Sequence, residues 1–482
     1  MTTMNAEHNT STAAGEFGAE AAAASATGSG TPSGPVTEEM LARGRRAHDL
    51  DRKHVFHSWQ AQGPFDPMTI VKSEGTRIWD GEGRELLDFS CQLVNTNIGH
   101  QHPAVVRAIQ EQAADICTIA PQHVNDARSE AARLIAEVAP DGLEHVFFTN
   151  GGADANEHAV RMARLHTGRK KVLSAYRSYH GGTNLAVNLT GDPRRFPNDN
   201  PGDGVVRFMP AYTYRSYFGS TTEAEESERA LRHLEDMITL EGAQNIAALV
   251  LETVPGTAGI YAPPAGYLEG VRELTRKHGI MLILDEVMAG FGRTGEWFAL
   301  DHWGVTPDLI TFAKGVNSGY VPLGGVIISD EVYSSFVDRQ YPGGLTYSGH
   351  PLACAAAVAT ITAMRDEGMI ENAKRVGNEV IGPRLAEIKA GHPSVGDVRG
   401  MGCFWAIELV TNRETKEPLA PYGGSSEALN RVIGAIKAGG VLPFANFNRI
   451  HVVPPLNVSD EDVRTALDVI DRALDVADEY VE

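Results

Sequence analysis

Short apolar runs recur through the middle of the chain. Between them lie longer stretches in which apolar positions return every third or fourth residue. Ile246 to Leu251, Ile280 to Leu284 and Leu309 to Ala313 are runs of the first kind. Their length and continuity predict strands buried on both faces. Residues 152–166, 223–240 and 267–277 show the helical spacing. This alternation, from about 145 to 329, predicts an α/β fold with a mostly parallel sheet covered on both sides. Upstream, 41–99 reads as short strands and turns. A hairpin is expected where Thr76 to Asp80 and Leu86 to Phe89 flank Gly81 and Gly83. Further helices are expected at 103–113, 126–138, 353–364 and 460–480, and a strand at 404–410. The segment 193–227 is polar and proline-rich, with Tyr212, Tyr214, Tyr217 and Phe218, and is long for a connection.

Composition narrows the classes. The 482 residues carry 42 basic and 62 acidic side chains, a net charge of −20, which argues against nucleic acid and anionic membrane partners. No apolar run approaches the ~20 residues of a membrane span. The four cysteines are scattered, without zinc-site spacing, and fit a reducing cytoplasm. Residues 1–40 are low in complexity and are expected to be a disordered tail. The remainder divides into 41–100, the first segment of a small domain; 101–345, a large domain; and 346–482, the rest of the small domain.

Chemistry gathers where the apolar runs stop. The run ending at Leu284 gives way to Asp285 and Glu286, and the run ending at Ala313 gives way to Lys314. In open α/β sheets ligands bind beyond the carboxyl ends of the strands, so an acid and an amine would face one crevice. An Asp that can pair with a ring N–H and a Lys that can form a Schiff base are what a pyridoxal phosphate site needs. Upstream, His145 to Thr149 leads into Gly151, Gly152 and Ala153 and then a helical pattern. A glycine turn at a helix N-terminus offers free N–H groups to a phosphate.

Asp285-Glu-Val-Met-Ala-Gly-Phe-Gly-Arg-Thr-Gly295, with the stretch from Pro307 through Lys314 to Gly325, resembles the signature of class III pyridoxal-phosphate-dependent aminotransferases. The resemblance runs from about Trp59 to about Pro455. It implies fold type I, a large domain with a mostly parallel seven-stranded sheet, a smaller α+β domain, and a homodimer, or a tetramer built from it, with a shared site. It implies that Lys314 holds pyridoxal 5'-phosphate and that Asp285 keeps the ring nitrogen protonated. Gly151, Gly152 and Ala153 would form the phosphate cup, with Gly151 where relatives carry Ser. Tyr179 and Val287 would flank the ring. His180 and Glu252 would complete the cofactor site, and Thr346 would reach the partner's phosphate.

The resemblance also implies two substrates, an amine donor and a keto acid. Gly182 stands where relatives acting on 4-aminobutyrate or ornithine carry Arg, and His451 where others carry Arg before Pro-Pro-Leu. Both absences favour an ω-amine donor and pyruvate, and the whole chain looks similar to taurine–pyruvate aminotransferases. A sulfonate or carboxylate still needs a cation, for which Arg399, Arg449 and Arg215 are candidates. Trp59 is a candidate substrate contact. The alternatives are a 4-aminobutyrate or diamine:2-oxoglutarate aminotransferase, an aminomutase of the glutamate-1-semialdehyde kind, and a catalytically silent binding module of the same fold.

Overall fold

The continuous apolar runs pair in the middle of a sheet, where both faces need covering. In the computed structural model, which describes residues 34–482, fifteen strands form two sheets. In chain order they are β1 (Ile70–Glu74), β2 (Arg77–Asp80), β3 (Glu85–Phe89), β4 (His145–Thr149), β5 (Lys171–Ala175), β6 (Val205–Phe208), β7 (Ile246–Glu252), β8 (Met281–Asp285), β9 (Leu309–Phe312), β10 (Gly324–Ile328), β11 (Val395–Met401), β12 (Phe404–Asn412), β13 (Glu417–Pro418), β14 (Val441–Asn446) and β15 (Arg449–Val452).

The first sheet has seven strands in the order β4-β10-β9-β8-β7-β5-β6. β9, β8, β7, β5 and β6 run parallel, and β10 lies antiparallel between β4 and β9. Every residue of β7, β8 and β9 is buried. Alternate side chains feed two cores. Val250 and Ile283 pack with Ala159, Val160 and Ala163 of the Gly152–Thr167 helix. Leu249, Leu251, Leu282 and Leu284 join the other core, with Leu234 and Ile238 of Glu223–Glu241 and Leu268 and Val271 of Tyr267–His278. Each such Leu, Ile or Val contributes about 1.5–3 kcal/mol by leaving water. The second sheet, β1-β2-β3-β14-β15-β12-β11 with β13 on β12, is antiparallel except where β14 meets β3.

The expected hairpin is β2–β3. Two expectations need correction. The 41–99 region opens with a helix, Glu38–His54, capped by Thr37. That helix is strongly polar, so no apolar period announces it. The polar segment 193–227 is not simply a long connection, because it supplies β6, an edge strand too short to show a pattern. Most of the tail expected at 1–40 lies outside the described residues; within it, Glu38 to Met40 are helical. No helix among the described residues is long and apolar enough to cross a membrane.

Arg293, fully buried in the glycine loop after β8, ties that loop to the second sheet. Its Nη2 donates to Asn97 Oδ1 at 2.6 Å and contacts Cys91 Sγ, while Nη1 donates to the carbonyls of Cys403 and Pro454. An unpaired buried acceptor costs about 1–3 kcal/mol, so Arg293→Met is expected to lower stability by roughly 2–4 kcal/mol. Urea unfolding would measure it; an unchanged midpoint would show that the loop does not depend on this side chain.

Candidate active site

Parallel strands held in register deliver their ends to one edge. Glu252 of β7 is level with Asp285 of β8, and Asp285 with Thr311 of β9. Lys314 follows β9 directly, with φ +48°, a region that non-glycine residues use sparingly and that often marks functional sites. The Gly152–Thr167 helix begins at the same edge, because β4 hands the chain to it through Asn150 and Gly151.

Asp285 is 3% exposed, and its carboxylate accepts three hydrogen bonds. Oδ1 accepts the Val287 N–H at 3.0 Å, and Oδ2 accepts Asn156 Nδ2 at 2.8 Å and His180 Nδ1 at 2.7 Å. A carboxylate only accepts, so the His180 hydrogen sits on Nδ1. Burial alone would lower the His180 pKa, but the hydrogen bond and charge of Asp285 outweigh it and the net shift is upward. Asn156 is itself fixed by Thr311 Oγ1, 3.0 Å from its Oδ1, and by the His180 carbonyl. Glu286 points the other way, as alternation along a strand requires. It accepts the N–H groups of Ala299 and Leu300, which caps a short helical turn.

A cavity of about 190 Å³ opens over these strand ends. Lys314, Asp285, Val287 and Met288 line one part; Gly152, Ala153, Tyr179 and His180 line another; Gly181, Gly182, Glu252 and Thr257 complete it. Burial lowers the Lys314 pKa to about 8, against the opposing charges of Asp285 and Glu252. Burial pushes Glu252 up to about 7, although it accepts the N–H groups of Tyr179 and Gly256.

Pyridoxal phosphate fits this lining. No side chain caps the Gly152–Thr167 helix, which leaves its first N–H groups to a ligand. A Cβ on Gly152 would stand 2.8 Å from Val287, and one on Gly181 would stand 2.5 Å from Ala153. Only glycine therefore lets helix, loop and strand end close in together. The cavity thus presents an anion cradle, an apolar wall at Val287, a carboxylate and an amine of lowered pKa, which is the donor set a phosphorylated pyridine aldehyde requires.

The profile described as aminotransferase class-III matches residues 60–474. The chain belongs to the class III aminotransferases. It is a pyridoxal-phosphate-dependent transaminase of fold type I. The putrescine–pyruvate aminotransferase of Pseudomonas aeruginosa is 36% identical over 79% of this chain and 86% of its own. The taurine–pyruvate aminotransferase of Bilophila wadsworthia is 34% identical over 88% and 96%. Among solved structures, a taurine:2-oxoglutarate aminotransferase from Bifidobacterium kashiwanohense, in complex with PLP and glutamate, matches with a TM-score of 0.88. It is 39% identical and covers 91% of this chain and 99% of its own.

Of the residues singled out in the sequence of this aminotransferase, Lys314, Asp285, Gly152, Ala153, Tyr179, His180, Glu252 and Val287 meet at the cavity. Gly151 is the residue before the uncapped helix. Thr346 and Trp59 are exposed and do not line this chain's cavity. Nor do the three candidate cations. Arg399 gives Nε to the Gly259 carbonyl, Nη1 to Asp397 and Nη2 to Glu408. Arg215 pairs with the same Glu408. Arg449 is 2% exposed and donates to the Thr257 carbonyl. Sequence reading missed Asn156, although an Asn on the buried stripe Ala155, Ala159, Ala163 is a visible anomaly. It also missed Arg194, in the polar 193–227 segment, whose guanidinium lies 3.6 Å over the Tyr179 ring.

Only a neutral amine can attack an aldehyde, and burial gives Lys314 that form at lower pH than an ordinary lysine. Uptake of pyridoxal phosphate by the apoenzyme is therefore expected to speed up as pH rises through about 8. Stopped-flow absorbance would record it. A midpoint above 10, that of an ordinary lysine, would contradict the buried setting.

Proposed function

We propose that this aminotransferase moves the amino group of an ω-amine carrying an acidic end, such as taurine or β-alanine, to pyruvate. The observation that carries the reaction is one cavity presenting Lys314, Asp285 and an uncapped helix N-terminus together. The donor and acceptor rest on Gly182, which offers no arginine there, and on the relatives named for taurine and pyruvate. The Bifidobacterium structure favours 2-oxoglutarate as a second reading of the acceptor.

In this reading the N–H groups of Gly152 and Ala153 hold the phosphate, with the Gly151 turn beside it, while Val287 and Tyr179 flank the ring. His180 and Asn156 orient Asp285 toward the ring nitrogen and keep that nitrogen protonated. Glu252 positions the Tyr179 backbone. Bound pyridoxal phosphate supplies the electron sink that draws electrons from the broken C–H bond. Lys314 Nζ would hold the cofactor and, once freed by the donor amine, would move the proton of the amine-bearing carbon. A pKa near 8 suits an amine that must both accept and return a proton near neutral pH. Over both half-reactions the donor would leave as an aldehyde or ketone and the keto acid as an amino acid.

The same reading includes a cytoplasmic homodimer in which Thr346 reaches the neighbouring site. Exposed Phe56, Trp59, Val124 and Tyr347 give a partner apolar surface to cover, and all four cysteines are free thiols.

Lys314→Ala is expected to abolish turnover while the cofactor still binds noncovalently; appreciable steady-state transamination would remove Lys314 from its role. Asp285→Asn is expected to lose most of kcat, on the order of a hundredfold or more, with an unchanged far-ultraviolet spectrum. The substrate is tested by mixing the loaded enzyme with taurine, β-alanine, putrescine, 4-aminobutyrate or 1-phenylethylamine and following its visible band. Loss of the band with taurine or β-alanine, reversed by pyruvate, supports the proposal. Conversion of the acidic ω-amines by none of the preparations overturns it.

A further inference from the structure

Arg194 lies on the Pro193–Asn198 turn, packed against two residues of the cavity lining. Its guanidinium carbon is 3.6 Å from the centre of the Tyr179 ring, and its Nη2 is 3.3 Å from Thr257 Oγ1. Tyr179 and Thr257 both line the cavity. One edge of the guanidinium is fixed: Nε donates to Asp192 at 2.9 Å, and Nη2 also pairs with that carboxylate. Asp192 is 4% exposed and accepts the Arg194 backbone N–H as well, so the side chain is built in rather than draped on the surface. Nη1 donates no hydrogen bond among the described residues. The guanidinium therefore keeps one nitrogen without a hydrogen-bond partner among the described residues, next to the cavity-lining Tyr179 and Thr257.

The other candidate arginines are engaged differently. Arg399 has a partner on each of its three nitrogens, Arg215 is paired to Glu408, and Arg449 is sealed beneath the Thr257 carbonyl. An acidic substrate could enlist Arg399 only by breaking buried ion pairs, which is strongly unfavourable. Arg215 Nη2 and Arg449 Nε are buried without a partner, but of these arginines Arg194 is the one stacked on the cavity-lining Tyr179.

We infer that Arg194 is the cation that receives the sulfonate or carboxylate of the amine donor and, in the second half-reaction, the carboxylate of the keto acid. The inference rests on the proposed reaction, in which both substrates occupy the same space in turn. Arg194 covers one face of Tyr179, a residue that lines the cavity. Thr257 Oγ1 stands beside Nη2 and offers a hydroxyl to the same anion. Asp192 keeps the guanidinium from swinging into solvent, and it tempers the positive charge so that an acidic product can leave. Arg194 thus selects among donors by their acidic end and takes no part in proton transfer.

The test uses the full-length, cofactor-loaded enzyme and two variants. Arg194→Gln removes the charge yet can still donate to Asp192; Arg194→Lys keeps the charge and loses the fork. Single-turnover rates are measured with taurine and β-alanine, and with 1-phenylethylamine, which has no acidic group. Calorimetry then gives the affinity for propane-1-sulfonate and butyrate, anions that cannot react. For Arg194→Gln the expected result is a loss on the order of tenfold to a hundredfold in apparent second-order rate with the acidic donors. Both anions weaken to a similar degree, and the rate with 1-phenylethylamine changes less than twofold. Arg194→Lys falls between. An equal loss with all three donors, no loss with any, or release of the cofactor on dialysis of Arg194→Gln would each overturn the inference. If the unmodified enzyme converts neither acidic donor, the proposed reaction fails on its own, and calorimetry still reports whether Arg194 binds the anions.

Discussion

A carboxylate almost fully withdrawn from water must have its lone pairs met, or it will not stay charged. Asp285 meets this demand with one local donor, the Val287 N–H, and two distant ones, Asn156 and His180. The distant donors lie 129 and 105 residues away in sequence. The charge therefore cannot be accommodated until the Gly152–Thr167 helix and the loop after β5 have both docked on the sheet. The same two segments bring the helix N-terminus and Tyr179 to the cavity. One electrostatic requirement thus organises the acid, the anion cradle and the aromatic wall together.

Register does the rest. Side chains alternate along a strand, so Asp285 and Glu286 cannot serve the same site. The first faces Asn156 and the cavity, and the second turns away to cap Ala299–His302. The β7–β8–β9 pairing sets Glu252, Asp285 and Thr311 in one row, and Lys314 leaves that row through a left-handed residue that redirects the chain. The approach of Gly152 to Val287 and of Gly181 to Ala153 closes the remaining space.

The parts of this arrangement that were legible in the sequence are those written by local pattern. β7, β8 and β9 announce themselves as continuous apolar runs, and Asp285 and Lys314 stand out because each interrupts one. The Glu38–His54 helix and β6 were not legible: one is held mainly by charge and capping at its ends, the other is a four-residue edge strand. Asn156 could have been found as a polar residue on an alanine face. The guanidinium partners could not, because which of Arg194, Arg215, Arg399 and Arg449 is free depends on where Glu408 and Asp192 lie in space. Arg399 and Arg449 suggested themselves by closeness to family motifs, and in the structure that closeness serves packing.

The same accounting explains how a chain of net charge −20 can handle acidic substrates. Glu408 gathers Arg399, Arg215 and the Tyr212 hydroxyl, and these hold its carboxyl far below the usual range even though burial alone would raise it. Within the cavity, burial acts in opposite senses on the two groups that can change charge. It raises Glu252 to about 7 and lowers Lys314 to about 8. Near neutral pH the carboxyl is therefore part-protonated and repels an incoming anion less than a fully ionised glutamate would, while most of the free amine carries a proton. As pH climbs, Glu252 gains its negative charge just as Lys314 loses its positive one, and the cavity turns from tolerant of anions to repulsive.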